Sequence, residues 1–267
     1  MTHYSNVSLK KLLFSIILTV PMFFGYTQAK VLLILEGISG AGKSTLCSII
    51  AEHIPEAHII PEPFDRWNNI NDTGNLFEEY IKDKSRWGLT LQHYICLTFS
   101  QALHDAYIQH PDKEIFITDR SYFATLFVFG RMLFENSTIT PMEWEILQEQ
   151  CVWFMENALH QPDGFIFLQT QPATARARAI KRNRALKASL NITYFENLHR
   201  LYTQWLVEKK NIHQSLEHVP VLIIDGEVDF VHDNAARQNI IAQIKNFIDQ
   251  IKDESQEGDL FMKKIIC

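Results

Sequence analysis

Short apolar runs alternate along this chain with longer stretches whose apolar residues recur every three or four positions. Val31–Leu35, His58–Pro61, Ile115–Thr118, Phe165–Gln169 and Val219–Ile224 read as strands, and an uninterrupted run such as Val31–Leu35 reads as a buried parallel one. Ser44–Glu52, Leu76–Ile81, Leu89–Gln109, Tyr122–Phe134, Pro141–His160, Ala173–Arg184, Thr193–Lys209 and Ala235–Lys252 read as helices. Thr140 is placed to cap the helix opening at Pro141, a residue suited to a first helical turn. The alternation predicts an α/β fold with a five-stranded parallel sheet and helices on both faces. No internal repeat interrupts it. The tail from Asp253 is charged and expected to fray at first, and the docking of Ile265 and Ile266 is left open.

With 46% hydrophobic and 21% charged residues among 267, the chain has an ample core for one domain, placed at residues 30–252, and requires no second. A formal net charge of -6 argues against general binding to nucleic acid or anionic membranes, while leaving room for a local basic cluster at a phosphate site. Cys47, Cys96, Cys151 and Cys267 are scattered, with no CxxC pair and no zinc-like spacing, and read as reduced thiols of a cytoplasmic protein. The N-terminus pulls the other way. Lys10 and Lys11 precede the apolar stretch Leu12–Phe24, closed by Thr27, Gln28 and Ala29, which resembles a secretory signal and is too short to span a bilayer comfortably. Pro21 interrupts it, and Met22 offers a start that omits most of it. Residues 1–29 are expected to be a leader or a misassigned start of a cytoplasmic protein, with export or inner-membrane anchoring as the alternative and no other membrane contact.

Directly after Val31–Leu35 and Glu36 come Gly37, Ile38, Ser39, Gly40, Ala41, Gly42, Lys43 and Ser44, followed by Thr45. Glycines at this spacing between a strand and a helix let successive backbone N–H groups turn inward around phosphate oxygens. Lys43 then reaches the outer phosphates and Ser44 can hold Mg2+. The following helix adds its positive N-terminal end. ATP with Mg2+ is the expected pair of ligands.

In an open α/β sheet, ligands sit beyond the carboxyl ends of the strands. Three predicted strands end in residues suited to phosphoryl transfer: the first in Glu36 and the phosphate loop, the second at Glu62 between Pro61 and Pro63, the third in Asp119-Arg120-Ser121. Glu62, on a backbone restricted by its two prolines, is expected to take a proton from an acceptor hydroxyl. Arg120 and Lys43 are expected on the transferring phosphate, and Asp119 is expected to orient Mg2+ through water. Trp67 serves equally as core or as a pocket wall. Arg176, Arg178, Lys181, Arg182 and Arg184 form a stretch without an acidic residue. On a helix Arg178 and Arg182 share a face, where like charges cost roughly 0.2 to 0.5 kcal/mol without an anion between them. This predicts an arginine-rich lid over the triphosphate, against the alternative of a solvated basic face.

From about Lys30 to Lys252 the chain resembles the deoxyribonucleoside kinases, the group of deoxycytidine, deoxyguanosine and mitochondrial thymidine kinases. The resemblance is carried by the phosphate loop, Glu62-Pro-Phe-Asp-Arg-Trp67, Arg86-Trp-Gly-Leu-Thr-Leu-Gln92, Asp119-Arg-Ser121, the Arg178/Arg182/Arg184 lid and Val219-Pro-Val-Leu-Ile-Ile-Asp225. It implies a P-loop kinase fold, often dimeric, that passes the γ-phosphate of ATP to the 5'-hydroxyl of a small-molecule nucleoside. Glu62 would abstract the hydroxyl proton and Arg120 would steady hydroxyl and phosphate. Gln92 would pair with the base edge, Trp67 and Phe129 would line the base, and Tyr80 would approach the sugar 3'-hydroxyl. Asp225 to Phe230, including Asp229, resembles the loop that wraps adenine. A homodimer through helices beside the sheet is permitted by the apolar positions of Pro141–His160.

The chain departs from the resemblance at two places. Ala185–Ser189 holds no acidic residue where relatives place one on the sugar, and Phe99 and Thr125 stand where deoxycytidine kinases carry an Arg and Asp pair. An apolar and hydroxyl lining favours pyrimidine nucleosides, thymidine included, because a buried unpaired charge is costly. Two alternatives remain: a thymidylate kinase, whose Glu-Pro continues differently from Phe64-Asp-Arg-Trp67, and a catalytically idle nucleotide-binding regulator.

Overall fold

The structure, a computed structural model, describes residues 30–157, 161–182 and 191–266. The leader, Arg184, Ala185–Ser189, the predicted helical end at residues 158–160, Cys267 and the side chains of Ile265 and Ile266 lie outside the described residues.

The chain runs β1 (Val31–Glu36), α1 (Lys43–His53), β2 (Ala57–Ile60), α2 (Phe64–Asn68), α3 (Leu76–Lys82), α4 (Lys84–Gln109), β3 (Ile115–Asp119), a π-helical turn (Thr125–Phe129), α5 (Gly130–Glu135), α6 (Pro141–Asn157), β4 (Gly164–Gln169), α7 (Pro172–Arg182), α8 (Ile192–Tyr202), a second π-helical turn (Thr203–Val207), β5 (Val221–Asp225) and α9 (Asn234–Ile266). The five strands form one parallel sheet in the order β2-β3-β1-β4-β5, in register from Val31 opposite Ile115 and from Leu33 opposite Gly164. This is the fold of the P-loop kinases. Every residue of the central strand β1 is buried, as a strand covered on both faces must be. Leu32, Ile60 and Phe116 meet Ala102, Leu103, Ala106 and Tyr107 of α4 on one face, while Leu33, Leu35 and Ile117 enter the main core. Truncating Leu33, fully buried there, to Ala costs about 2 to 5 kcal/mol.

The five strands and the larger helices fall where the sequence places them, with instructive differences. α4 begins at Lys84 rather than Leu89 because Asp83 caps it, its Oδ1 accepting from the Arg86 N–H at 3.0 Å. β5 starts after Pro220, which has no N–H to donate. The predicted helix Tyr122–Phe134 is broken by the first π turn. Thr193–Lys209 ends as α-helix at Tyr202 and passes into the second. The tail does not fray in the backbone: α9 runs on from Asp253 to Ile266, with good helix formers such as Glu254, Gln256, Glu257 and Leu260 among its residues. Thr140 caps α6 as expected, in a reciprocal box with Glu143: the Glu143 N–H reaches Thr140 Oγ1 at 3.2 Å and the Thr140 N–H reaches Glu143 Oε2 at 2.7 Å. Among the described residues, no helix is long and apolar enough to cross a membrane. Cys47, Cys96 and Cys151 are free thiols, all buried.

Candidate active site

Because β2, β3 and β1 are neighbours, their carboxyl ends bring Glu62, Asp119-Arg120 and the loop after Glu36 to one rim of the sheet. In that loop Gly40 has φ 81°, and a Cβ there would lie 2.2 Å from the Ala175 carbonyl oxygen, so only glycine fits. Gly42, at φ 109°, stands at the N-cap of α1 with no side-chain cap, which leaves first-turn N–H groups free for an anion. Buried Lys43 curls back over the loop, its Nζ donating to the carbonyls of Gly37 at 2.9 Å and Ile38 at 3.2 Å. Burial and the charge of Arg120 lower its pKa to about 8, against Asp119, Glu62 and Glu36, which favour the ammonium form.

Two hollows meet at this rim. A small cleft of about 80 Å³ is lined by Ser39, Gly40, Gly42, Lys43, Ser44 and Thr45 of the loop. A cavity of about 850 Å³ extends from it between α3, α4 and the first π turn. The two share Ser39, Ser44, Glu62, Asp119, Arg120 and Arg182. Glu62 Oε1 lies 3.3 Å from Arg120 Nε. The carboxylate and guanidinium expected to flank the reacting hydroxyl are therefore already paired at the junction.

Much of the large cavity's lining is aromatic. Trp67, Phe77, Tyr80, Phe99 and Phe129 line it, with Trp67 edge-on to both Phe64 and Phe99 and the Phe129 ring 5.2 Å from the Arg120 guanidinium. The Trp67 indole Nε1 donates to Thr98 Oγ1 at 2.9 Å, which fixes the ring and settles the sequence's ambiguity: buried Trp67 is both core and pocket wall. Gln92 and Thr125 also line this cavity, and Gln92 Oε1 and Thr125 Oγ1 are buried without a hydrogen-bond partner among the described residues. Such groups are expensive to leave unpaired, and here they belong to residues that border the cavity.

Ser44 Oγ donates to Asp119 Oδ2 at 2.8 Å, and Asp119 Oδ1 is a buried oxygen without a partner among the described residues. A hydroxyl and a spare carboxylate oxygen are hard donors that suit Mg2+ when phosphate oxygens and water complete its shell. Among the described residues no group of three or more His, Cys, Asp or Glu could hold a metal alone.

Some expected residues sit elsewhere. Arg178 donates to the carbonyls of Ala41 at 3.1 Å and Gly226 at 2.9 Å, so its charge is answered by backbone and it ties the phosphate loop to the turn after β5. Arg182 lines both hollows. Asp225, Asp229 and Phe230 line neither: Asp225 Oδ1 accepts from the Glu227 N–H and Asp229 Oδ1 from the Val231 and His232 N–H groups, in exposed Asx-type turns. Phe230 is buried beside Gly42. The loop is thus adjacent to the phosphate loop, but its acidic side chains turn away.

Sequence reasoning missed the buried cluster behind Arg120. Glu36, fully buried, accepts from Ser121 Oγ at 2.6 Å and from the Tyr202 hydroxyl at 2.9 Å, and Arg120 Nη1 donates to the same hydroxyl at 3.2 Å. Burial pushes the Glu36 carboxyl up to about 7, while Arg120, Ser121, Tyr202 and Lys43 favour its ionised form. Tyr194 of α8 also lines the cavity, near Ser39 and Arg120. A carboxylate one residue before a phosphate loop was the available signal for Glu36; neither tyrosine carried one.

The sequence profile described as deoxynucleoside kinase matches residues 33–249. The chain is 32% identical to deoxycytidine kinase 2 of Gallus gallus, over 80% of this chain and 89% of that protein. It is 28% identical to deoxycytidine kinase of Homo sapiens, with the same coverage. To the mitochondrial deoxyguanosine kinase of Xenopus laevis it is 26% identical, over 80% of this chain and 88% of the relative. A profile spanning nearly the whole sheet, joined to a phosphate loop that faces a paired carboxylate and arginine, places the chain in the deoxynucleoside kinase family.

Proposed function

We propose that this kinase transfers the γ-phosphoryl group of ATP to the 5'-hydroxyl of a deoxyribonucleoside, returning salvaged nucleosides to the nucleotide pool. The observation that carries the reading is Glu62 beside Arg120 where the large cavity opens onto the phosphate loop. A hydroxyl delivered from the cavity meets a carboxylate to take its proton, while Arg120 and Lys43 face the phosphate that receives its oxygen. Ser44 and Asp119 would hold Mg2+, which supplies charge neutralisation on the phosphates. Arg182 closes over the junction, and the Gly226 turn and Phe230 border the donor side.

In the acceptor cavity Gln92 pairs with the base edge between Trp67 and Phe129, with Tyr80 towards the sugar. Phe99 and Thr125 offer no charge, which supports pyrimidine bases, thymidine included; two of the relatives above are named for deoxycytidine and one for deoxyguanosine. The exposed Met142, Ile146 and Trp153 of α6 support self-association as a homodimer, and a cytoplasmic setting supplies the ATP. Labelled ATP offered with a panel of nucleosides and nucleoside monophosphates tests the reading. Label on a pyrimidine deoxynucleoside is expected; label only on monophosphates, or on nothing, overturns it.

A further inference from the structure

Arg120 reaches the junction from a backbone in the left-handed region, φ 70°, with its N–H donating to the Leu35 carbonyl at 2.9 Å. A non-glycine residue there carries backbone strain and persists only where surrounding contacts determine it. Among the described residues three polar contacts hold the guanidinium, with the Phe129 ring 5.2 Å from it: Nε to Glu62 at 3.3 Å, Nη2 to Ser39 Oγ at 3.3 Å and Nη1 to the Tyr202 hydroxyl at 3.2 Å. The first partner is the one assigned to the acceptor hydroxyl, and the second belongs to the loop assigned to phosphate. Tyr202 alone of the three is anchored in the core, stacked on Phe167 and Trp205.

We propose that Glu36 and Tyr202 are positioning residues for Arg120, acting as a relay in which the Glu36 carboxylate fixes the Tyr202 hydroxyl and that hydroxyl fixes Nη1. A tyrosine hydroxyl has one proton. Donated to Glu36 Oε2 at 2.9 Å, it obliges the oxygen to offer a lone pair, and Arg120 is the donor on that side. Ser121 Oγ holds the other Glu36 oxygen at 2.6 Å, so the carboxylate cannot swing. Glu36 lines neither hollow and is fully buried, which separates it from the reacting groups. With the relay in place the guanidinium keeps its direction when Glu62 and Ser39 turn to substrate. That is preorganisation of a charge where new charge develops.

The inference rests on the reading of Arg120 as the residue facing the transferring phosphate, and a double-variant cycle separates the two. Turnover, KM for ATP and nucleoside, and Tm would be measured for Tyr202→Phe, Glu36→Gln, Arg120→Lys and Tyr202→Phe/Arg120→Lys. Tyr202→Phe, which keeps the ring packing, is expected to lower kcat about tenfold, as the loss of one hydrogen bond to a charged group should, with KM for ATP nearly unchanged. In the Arg120→Lys background the same change should cost nothing further, because the relay no longer has its target. Glu36→Gln, retaining one acceptor oxygen, should fall between wild type and Tyr202→Phe. Equal losses in both backgrounds, or a lower Tm with kcat intact, would overturn the relay and leave a purely structural cluster. Full turnover by Arg120→Lys would instead remove Arg120 from the chemistry, and the relay with it.

Discussion

The Ser44 hydroxyl and the Asp119 carboxylate are hydrogen-bonded at 2.8 Å, with the second Asp119 oxygen buried and without a partner among the described residues. One side chain comes from the first turn of α1 and the other from the end of β3, so the pair spans the floor of the small cleft. If this is the cation seat, Asp119→Asn should raise the Mg2+ concentration for half-maximal activity about 10- to 100-fold. A magnesium titration at saturating ATP checks it, and an unchanged requirement removes Asp119 from the seat.

Glu62 has the position of a base and little structural duty, lying partly exposed at the mouth of the cavity. Glu62→Gln keeps the shape and loses the ability to take a proton. Turnover should drop by about two decades or more while binding of a fluorescent ATP analogue stays as it was. Unchanged turnover would assign proton removal elsewhere.

The two described lid arginines should part company. Arg182 is exposed and has no hydrogen bond to another described residue, so Arg182→Ala is expected to slow turnover with Tm within about 2 °C of wild type. Arg178 holds two backbone carbonyls. Arg178→Ala should cost stability of about 1 to 3 kcal/mol, the worth of hydrogen bonds from a charged donor. Calorimetry beside steady-state kinetics separates the two, and matching losses of Tm would return Arg182 to a plain helix face.

Glu36 makes stability depend on pH in a direction unusual for a carboxylate. Its pKa rises on folding from 4.5 to about 7, so across that interval the folded protein holds a proton the unfolded chain has released. The stabilisation is complete below the unfolded value and is lost as pH climbs through the folded one. Glu36→Gln cannot ionise and should remove this slope. Melting curves from about pH 5 to about pH 8 should show wild type losing Tm relative to the variant, by about 2 to 4 °C per kcal/mol. Parallel curves would mean Glu36 does not titrate there. Ionisation that weakens the fold also sets the polarity of the Tyr202 hydroxyl, so stability and turnover are expected to move oppositely over this range.

Much of this site was legible because its chemistry lies at strand ends, where an isolated polar residue after an apolar run is conspicuous. The phosphate loop, Glu62 and Asp119-Arg120 all stand out in that way. Tyr202 does not: with Phe195, Leu198 and Trp205 it follows helical spacing and reads as core, and its carboxylate partner is 166 positions away. The π turns carry no compositional mark apart from Gly130, where a Cβ would fall 2.5 Å from the Thr125 carbonyl oxygen. Where the side chains of Asp225 and Asp229 turn was not legible, because short carboxylates after a strand satisfy local N–H groups as readily as they face a ligand.

β2 is an edge strand of four residues, paired through β3 alone, and the chain passes from it directly to Glu62. The nucleotide cradle follows β1 in the middle of the sheet, but its helix α1 packs against β2 as well. Opening of this edge is therefore expected to disturb Glu62 and the helix behind the phosphate loop together. A short strand at the rim thus ties the two halves of the candidate site to the integrity of one margin of the sheet.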